Sequence, residues 1–344
     1  MTLPLSPDAV TVLPVDGVGE VGPGDDLVAH LVGALGAEGL ADGDVVVLTS
    51  KVLSKAEGRL TDRPKDDVVT DETDRVLATR GGTRIVRTRH HGLVLAGAGV
   101  DASNTAAGTS LALPVDPDGS AARLREGLLR ATGRNVAVVV SDTAGRAWRE
   151  GQTDIAIGVA GLAVLDDHAG REDGYGNVLA VTAPAVADEV AAAGDLVKGK
   201  LARRPAAVVR GLAARVLPVG EHGPGARALV RPEAHDMFGL GAREAVIAAV
   251  TGDRAALRGF GAPAPADVVA RHLGALVGPA GSVRVDAGPP AQVVVPLPGL
   301  DDRALGRLEA RVVAAAFGLG WLPEDGAQDG AEPETLVRLV PASQ

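Results

Sequence analysis

The residues of this 344-residue chain best suited to chemistry are acids and bases set at the ends of apolar runs. Val138-Val139-Val140 leads into Ser141-Asp142-Thr143, with Gly145-Arg146 and Arg149 close behind. An aspartate beside a hydroxyl is a hard-oxygen pair. Mg2+ and Mn2+ favour such donors, and Mg2+ is commonly held by one or two carboxylates together with substrate phosphates. The arginines could neutralise anionic groups. The plainer alternative is a helix cap followed by a solvated basic turn. A second cluster, GAGVDASN over 97–104, offers Asp101 and Asn104 as further oxygen donors. Its glycines let backbone approach a ligand closely. An Asx turn accounts for it equally well.

A third segment, DVVVLTSKVLSK over 44–55, ends an apolar strand in Thr49-Ser50-Lys51. A helix starting there would offer free N–H groups to a phosphate. Lys51 and Lys55, four apart, would share one face of it. It is not a GxxxxGK[ST] loop, and a capped helix with two solvated lysines is the bland reading. A fourth, DLVKGKLARR over 195–204, places glycine between two lysines ahead of two arginines. It suits either an anion-contacting turn or a charged surface loop. His90-His91 has no carboxylate at metal spacing and reads as structural or substrate-lining. Asp188-Glu189 reads as a solvated helix face.

These groups need elements to hold them. Val10–Leu13 is a short strand, 17–24 a glycine-rich turn, and Asp25-Asp26 a cap for a helix through Leu27, Leu31 and Leu35. Val45–Leu48 is wholly apolar and suits a sheet covered on both faces. Residues 66–90 read as an acidic helix and then a strand over 83–87, with another strand at 92–96. Leu124–Leu129 is helical, and Val136–Val140 is the strongest strand in the chain. Residues 151–166 should lie deep, Glu172–Asn177 is a loop, Ala185–Ala193 a helix and Ala206–Val209 a strand. Ala262-Pro263-Ala264-Pro265 reads as a linker or turn. Beyond it come a helix near 267–276, strands near 282–296 and a helix near 303–316.

Composition narrows the function classes. There is no cysteine, which excludes disulfides, thiolate zinc sites and a cysteine nucleophile. The net charge of -10 argues against nucleic-acid binding, which uses a basic face. The first residues lack the basic and apolar segments of a secretory signal. No stretch approaches the apolar length of a membrane span, so the cytoplasm is the expected location. Aromatic residues are 2% of the chain, so the core must be built from Val, Leu and Ala.

In order, the segments LPVDGVGEV, DVVVLTSKVLSKAEGRL, GLVLAGAGVDASN, LPVDPDGSAARLREGL, SDTAGRAWREGQTDIAIGVAGL, DGYGN, VADEVAAAGDLVKGKLARRPAAVVRG and RPEAHDMFGLG resemble the coenzyme F420-0:L-glutamate ligase family. The likeness covers about residues 10–245. It implies a two-lobed α+β protein that dimerises, with 1–245 as the catalytic domain. The implied reaction adds L-glutamate to the lactyl carboxylate of F420-0, then γ-linked glutamates, with GTP consumed and GDP and phosphate released. It also implies divalent cations, Mg2+ or Mn2+ and two of them, with K+ as a possible monovalent partner. By motif, nucleotide contacts fall on Val18, Gly19, Glu20, Val21, Ser50, Lys55 and Asn104, and on the later segment with Lys198, Gly199 and Lys200. Metal ligands fall on Asp101, Asp142 and Thr143. Lys55, Asp101 and Asp142 then become the catalytic set. Lys200 stands where some members carry Gln.

Residues 246–344 depart from the short members of that family. They are too few for a full nitroreductase-like flavin domain, so no FMN is expected and a small α/β module is. Two other readings stand beside the ligase: a metal-dependent ligase for another carboxylate, and a non-catalytic nucleotide-binding protein.

Overall fold

Val45, Val46, Val47 and Leu48 have no exposed surface, and they form the middle of a sheet buried on both sides. Alternation sends Val46 and Leu48 to one face and Val45 and Val47 to the other. Each contributes roughly 1.5–3 kcal/mol of apolar burial. The computed structural model describes residues 9–36, 39–103, 105–236, 238–278, 283–286, 288, 290–296, 301–324 and 336–342. The chain divides into two compact units, Met1–Val230 and Arg231–Gln344.

The first unit runs β1 (Thr11–Val15), α1 (Leu27–Leu35), β2 (Val45–Thr49), α2 (Ser50–Ala56), β3 (Leu60–Thr61), α3 (Lys65–Glu72), β4 (Thr73–Arg80), β5 (Thr83–Thr88), β6 (Val94–Ala96), β7 (Ser110–Leu111), α4 (Pro117–Thr132), β8 (Ala137–Gly145), β9 (Gln152–Ala160), α5 (Val186–Lys198) and β10 (Ala206–Arg210). The main sheet has the order β1-β10-β2-β8-β9. β1, β2 and β8 point one way, and β9 and β10 the other. On one face Val46, Leu48, Val138 and Val140 meet Leu27 and Leu31 of α1 and Leu124 and Leu128 of α4. On the other, Val45, Val47 and Val139 meet Val186, Val190 and Ala191 of α5. Helix α5 lies close enough that a Cβ on Gly194 would stand 2.8 Å from Val47 Cγ1.

The helix ends follow from sequence. Asp26 caps α1, accepting from Val28 N at 2.9 Å and Ala29 N at 3.2 Å. Asp116 accepts from Gly119 N at the start of α4, Pro117 takes its first turn, and Gly133 closes it at φ 70°. A smaller lobe carries the sheets β4-β5-β6 and β3-β7, with Val68, Val69, Val86 and Val100 in its core.

In the second unit α6 (Ala242–Thr251) and α7 (Ala266–Val277) precede β11 (Arg284–Asp286) and β12 (Gln292–Pro296). Then come α8 (Asp302–Gly318), β13 (Trp321–Pro323) and β14 (Leu336–Pro341). The four strands pair antiparallel in the order β11-β12-β14-β13. Val269 and Leu273 of α7 and Val312 and Ala316 of α8 pack with Val293, Val295 and Leu339 of the sheet. Trp321 is buried there and donates its indole N–H to Ala264 O at 2.8 Å.

The whole is a mixed α/β fold of the expected α+β class, with differences in detail. The acidic helix expected from residue 66 stops at Glu72, and 73–80 is a strand. Gly81-Gly82, both at positive φ, make the hairpin turn that pairs it with β5. The strand expected over 136–140 runs on to Gly145, because Ser141–Gly145 continue to pair with β9. Ser141, Asp142 and Thr143 therefore lie within the strand itself and do not form a helix cap. The helix at 124–129 is the middle of the longer α4. β13 and β14 were not foreseen. Among the described residues no helix is long and apolar enough to cross a membrane.

Candidate active site at the open end of the main sheet

The C-terminal ends of β1, β2 and β8 open at one edge of the sheet, where β9 and β10 begin. Crevices outside strand ends are where open α/β sheets gather their ligands. The loop 16–24 leaves β1 here, α2 starts directly from β2, and Asp142 stands on β8 one residue past its last pairing with β2, Thr49 with Ser141.

Four side chains meet at this edge. Ser50, the first residue of α2, donates to Asp142 Oδ1 at 2.8 Å. Lys51 follows, its ammonium 2.8 Å from Asp101 Oδ2 and 4.0 Å from Asp142 Oδ1. Asp101 also accepts from Ser103 N and Ser103 Oγ, each at 2.7 Å. The Asx turn and the charged site are thus the same feature. Burial pushes the Asp142 carboxyl up to about 6, against the pull of Lys51 and Ser50. Asp101 is pushed up by burial too, but the hydrogen bonds from Lys51 and Ser103 win and hold it well below the usual carboxylate range. Burial pulls the Lys51 ammonium down, yet Asp142 and Asp101 together raise it above its ordinary value.

The opposite face of the same strands carries a second set. Val140 pairs with Gly158 and Ser141 with Ala156, so Ile157 is the extra residue of a β-bulge. In an unbroken register Asp154 would share a face with Asp142, and the bulge sends it to the α5 side. There it accepts from Thr143 Oγ1 at 2.8 Å, Ser141 Oγ at 2.7 Å and Lys198 Nζ at 2.8 Å. Asp154 and Lys198 are 3% and 4% exposed. Burial raises the Asp154 carboxyl, but Lys198 and the two hydroxyls keep it below its ordinary value.

The structure therefore sorts the expected residues. Ser50, Asp101 and Asp142 come together, joined by Lys51. Lys55 lies one turn on, 3.6 Å from Glu20 Oε2 of the 17–24 loop. In that loop Val18 and Val21 are buried, Gly19 has φ 79° and Val18 O meets His30 Nδ1 at 2.8 Å. Lys200 reaches Ser103 Oγ at 3.3 Å, while Gly199, at φ 62°, ends α5. Thr143 and Lys198 turn instead to Asp154. Asn104 lies outside the described residues. Arg146 and Arg149 sit on the exposed β8–β9 turn. His91 Nε2 donates to Pro114 O at 2.6 Å. Asp188, expected on a solvated face, accepts from Ala156 N at 2.9 Å and is half-buried. The residue that sequence reasoning missed is Asp154. Its signal was an acid directly ahead of the apolar run Ile155–Ala160 within one strand.

Among the described residues no group of three or more His, Asp or Glu is placed to hold a metal ion. Asp101 and Asp142 do, however, already flank a positive charge, and their donors are hard oxygens of the kind Mg2+ and Mn2+ take with substrate phosphates.

Acids and amines packed out of water at the open end of a helix-covered sheet mark a catalytic protein. The family described as F420-0:Gamma-glutamyl ligase matches residues 17–66 and 62–211. A coenzyme F420:L-glutamate ligase of Methanothermobacter thermautotrophicus is 39% identical over 253 residues, 67% of this chain and 98% of that protein. One of Archaeoglobus fulgidus is 39% identical over 224 residues, 59% of this chain and 88% of its own length. One of Methanopyrus kandleri is 38% identical over 241 residues, 64% and 93%. The chain belongs to the F420-0:gamma-glutamyl ligase family.

Proposed function

We propose that this chain is a GTP-dependent ligase that joins L-glutamate to the carboxylate of F420-0 and then adds γ-linked glutamates. The observation that carries the reading is the Lys51 ammonium held between Asp101 and Asp142 at the strand ends. It is a charge-dense, partly dry corner suited to a nucleotide's phosphates and the cation that accompanies them. The names of the relatives support F420 and L-glutamate as substrates.

A carboxylate does not condense with an amine in water, because its oxygen is a poor leaving group. In the proposed reaction an acceptor carboxylate oxygen attacks the γ-phosphorus of GTP, the bond to the β-phosphate oxygen breaks, and GDP leaves. The glutamate nitrogen, having lost its proton, then attacks the acyl carbon of the resulting acyl phosphate. The acyl C–O bond breaks and inorganic phosphate departs. Phosphoryl transfer of this kind asks the protein for positioning and charge neutralisation more than for covalent chemistry. Lys51 and Lys55 bring positive charge from one face of α2, and the 17–24 loop offers backbone N–H groups. Asp101 and Asp142 would hold a divalent ion, which when bound neutralises phosphate charge. Arg146 and Arg149 would meet the anionic part of the acceptor.

The test is to incubate the full chain with GTP, Mn2+, F420-0 and L-glutamate and to follow acceptor mass and nucleotide. Glutamyl-extended product with matching GDP is expected. GTP binding with neither product would favour a non-catalytic nucleotide-binding protein. GDP formed only with another acceptor would overturn the substrate assignment.

A further inference from the structure

Asp154 is a buried charge that the proposed reaction does not use. Its carboxylate grips Ser141 Oγ and Thr143 Oγ1 together, and these are the residues before and after Asp142. Lys198 Nζ completes the cluster, donating to Asp154 Oδ2 and, at 2.7 Å, to Ser141 Oγ. One carboxylate on one face of the sheet thus pins both neighbours of the acid that leaves by the other face.

The pin answers a local weakness. β2 ends at Thr49, opposite Ser141, so from Asp142 onward β8 has only β9 as a neighbour. A two-stranded ribbon twists more than a multi-stranded sheet. The bulge at Ile157 adds further twist beside it. Asp142 is the first residue of that ribbon, and a small rotation there would swing its carboxylate away from Ser50 and Lys51.

We propose that Asp154, neutralised by Lys198, is a positioning residue that fixes the aim of the Asp142 carboxylate from the far face of the sheet. This rests on the reading of Asp142 as an acid that holds a divalent ion with the nucleotide. Groups that hold a metal-binding side chain in place typically change metal affinity by roughly 10- to 100-fold when removed.

The test uses the full chain and measures the Mn2+ dissociation constant by electron paramagnetic resonance in the presence of GTP. Asp154→Leu and Lys198→Met are made together, so that neither leaves a lone buried charge. The pair variant should keep its circular dichroism and cooperative melt and bind Mn2+ roughly tenfold more weakly or worse. Introduced into Asp142→Asn, the same pair should cost nothing further, because the group it aims is gone. If the pair variant does not fold, Ser141→Ala, which leaves the ion pair and removes one arm of the grip, should weaken Mn2+ binding several-fold. Wild-type affinity in a folded variant, or losses that multiply in the Asp142→Asn background, overturns the positioning role while leaving the metal reading intact. A wild-type chain that binds no Mn2+ with GTP overturns the metal reading and this proposal with it.

Discussion

Asp142 is held where its ionised form is costly, and replacing it should make the protein more stable while stopping its chemistry. Burial lifts its carboxyl from the ordinary 3.8 to about 6. An acid whose pKa is higher in the folded state binds its proton more tightly there than when unfolded. Its contribution is therefore most favourable below 3.8 and is lost as pH rises through 6. Above that the destabilisation levels off at roughly 3 kcal/mol. Asp142→Asn keeps the shape and an oxygen for Ser50 but removes the charge. For a unit of this size 1 kcal/mol moves Tm by about 2–4 °C. Allowing for partial relaxation around Lys51, a gain of about 3–9 °C is expected in metal-free buffer at pH 7.5, shrinking to near zero at pH 4. Differential scanning calorimetry of the two proteins at both pH values measures it, and a parallel assay should show turnover lost. A Tm that falls at pH 7.5, or a gain equal at both pH values, would show that the buried charge of Asp142 is not the destabilising group.

Arg125 donates to the carbonyls of Val136, Leu217 and Pro218 and to Asn135 Oδ1, at 2.8–2.9 Å. Arg125→Met strands these acceptors and should cost ~3 kcal/mol, read as a Tm about 6–12 °C lower, with KM for GTP unchanged. A Cβ on Gly158 would stand 2.4 Å from Pro117 O, and backbone cannot yield cheaply. Gly158→Ala should therefore cost roughly 2 kcal/mol in urea unfolding. Gly33, inside α1 with open space around it, should behave oppositely, with Gly33→Ala gaining about 0.5–1 kcal/mol.

The sheet's centre and the start of α1 were readable because one local rule decided each. Four apolar residues at 45–48 can only be a strand covered on both faces, and Asp26 needs nothing beyond its own turn to cap α1. The position of Asp142 at the end of an apolar run was equally legible. What was not legible depends on partners distant in sequence. The stretch Thr73–Arg80 is rich in charge and buries little but Leu77, so it becomes a strand only because β5 folds back on it. Lys51 and Lys55 share a helix face, and which one reaches the aspartates depends on where the 97–103 turn lies. Asp154 was hidden most completely, since one extra residue at Ile157 decides which face it takes.

In the proposed reaction an acceptor carboxylate is activated by GTP at the Asp101–Asp142 corner before glutamate arrives. The most direct measurement starts from F420-0 carrying heavy oxygen in its carboxylate, incubated with the full chain, GTP, Mn2+ and L-glutamate, with mass analysis of the released phosphate. One heavy oxygen is predicted in each phosphate released by the first glutamyl addition and none in the phosphate of later γ-linked additions, with no label transferred by Asp142→Asn. Glutamyl product formed with no label in the phosphate would contradict it.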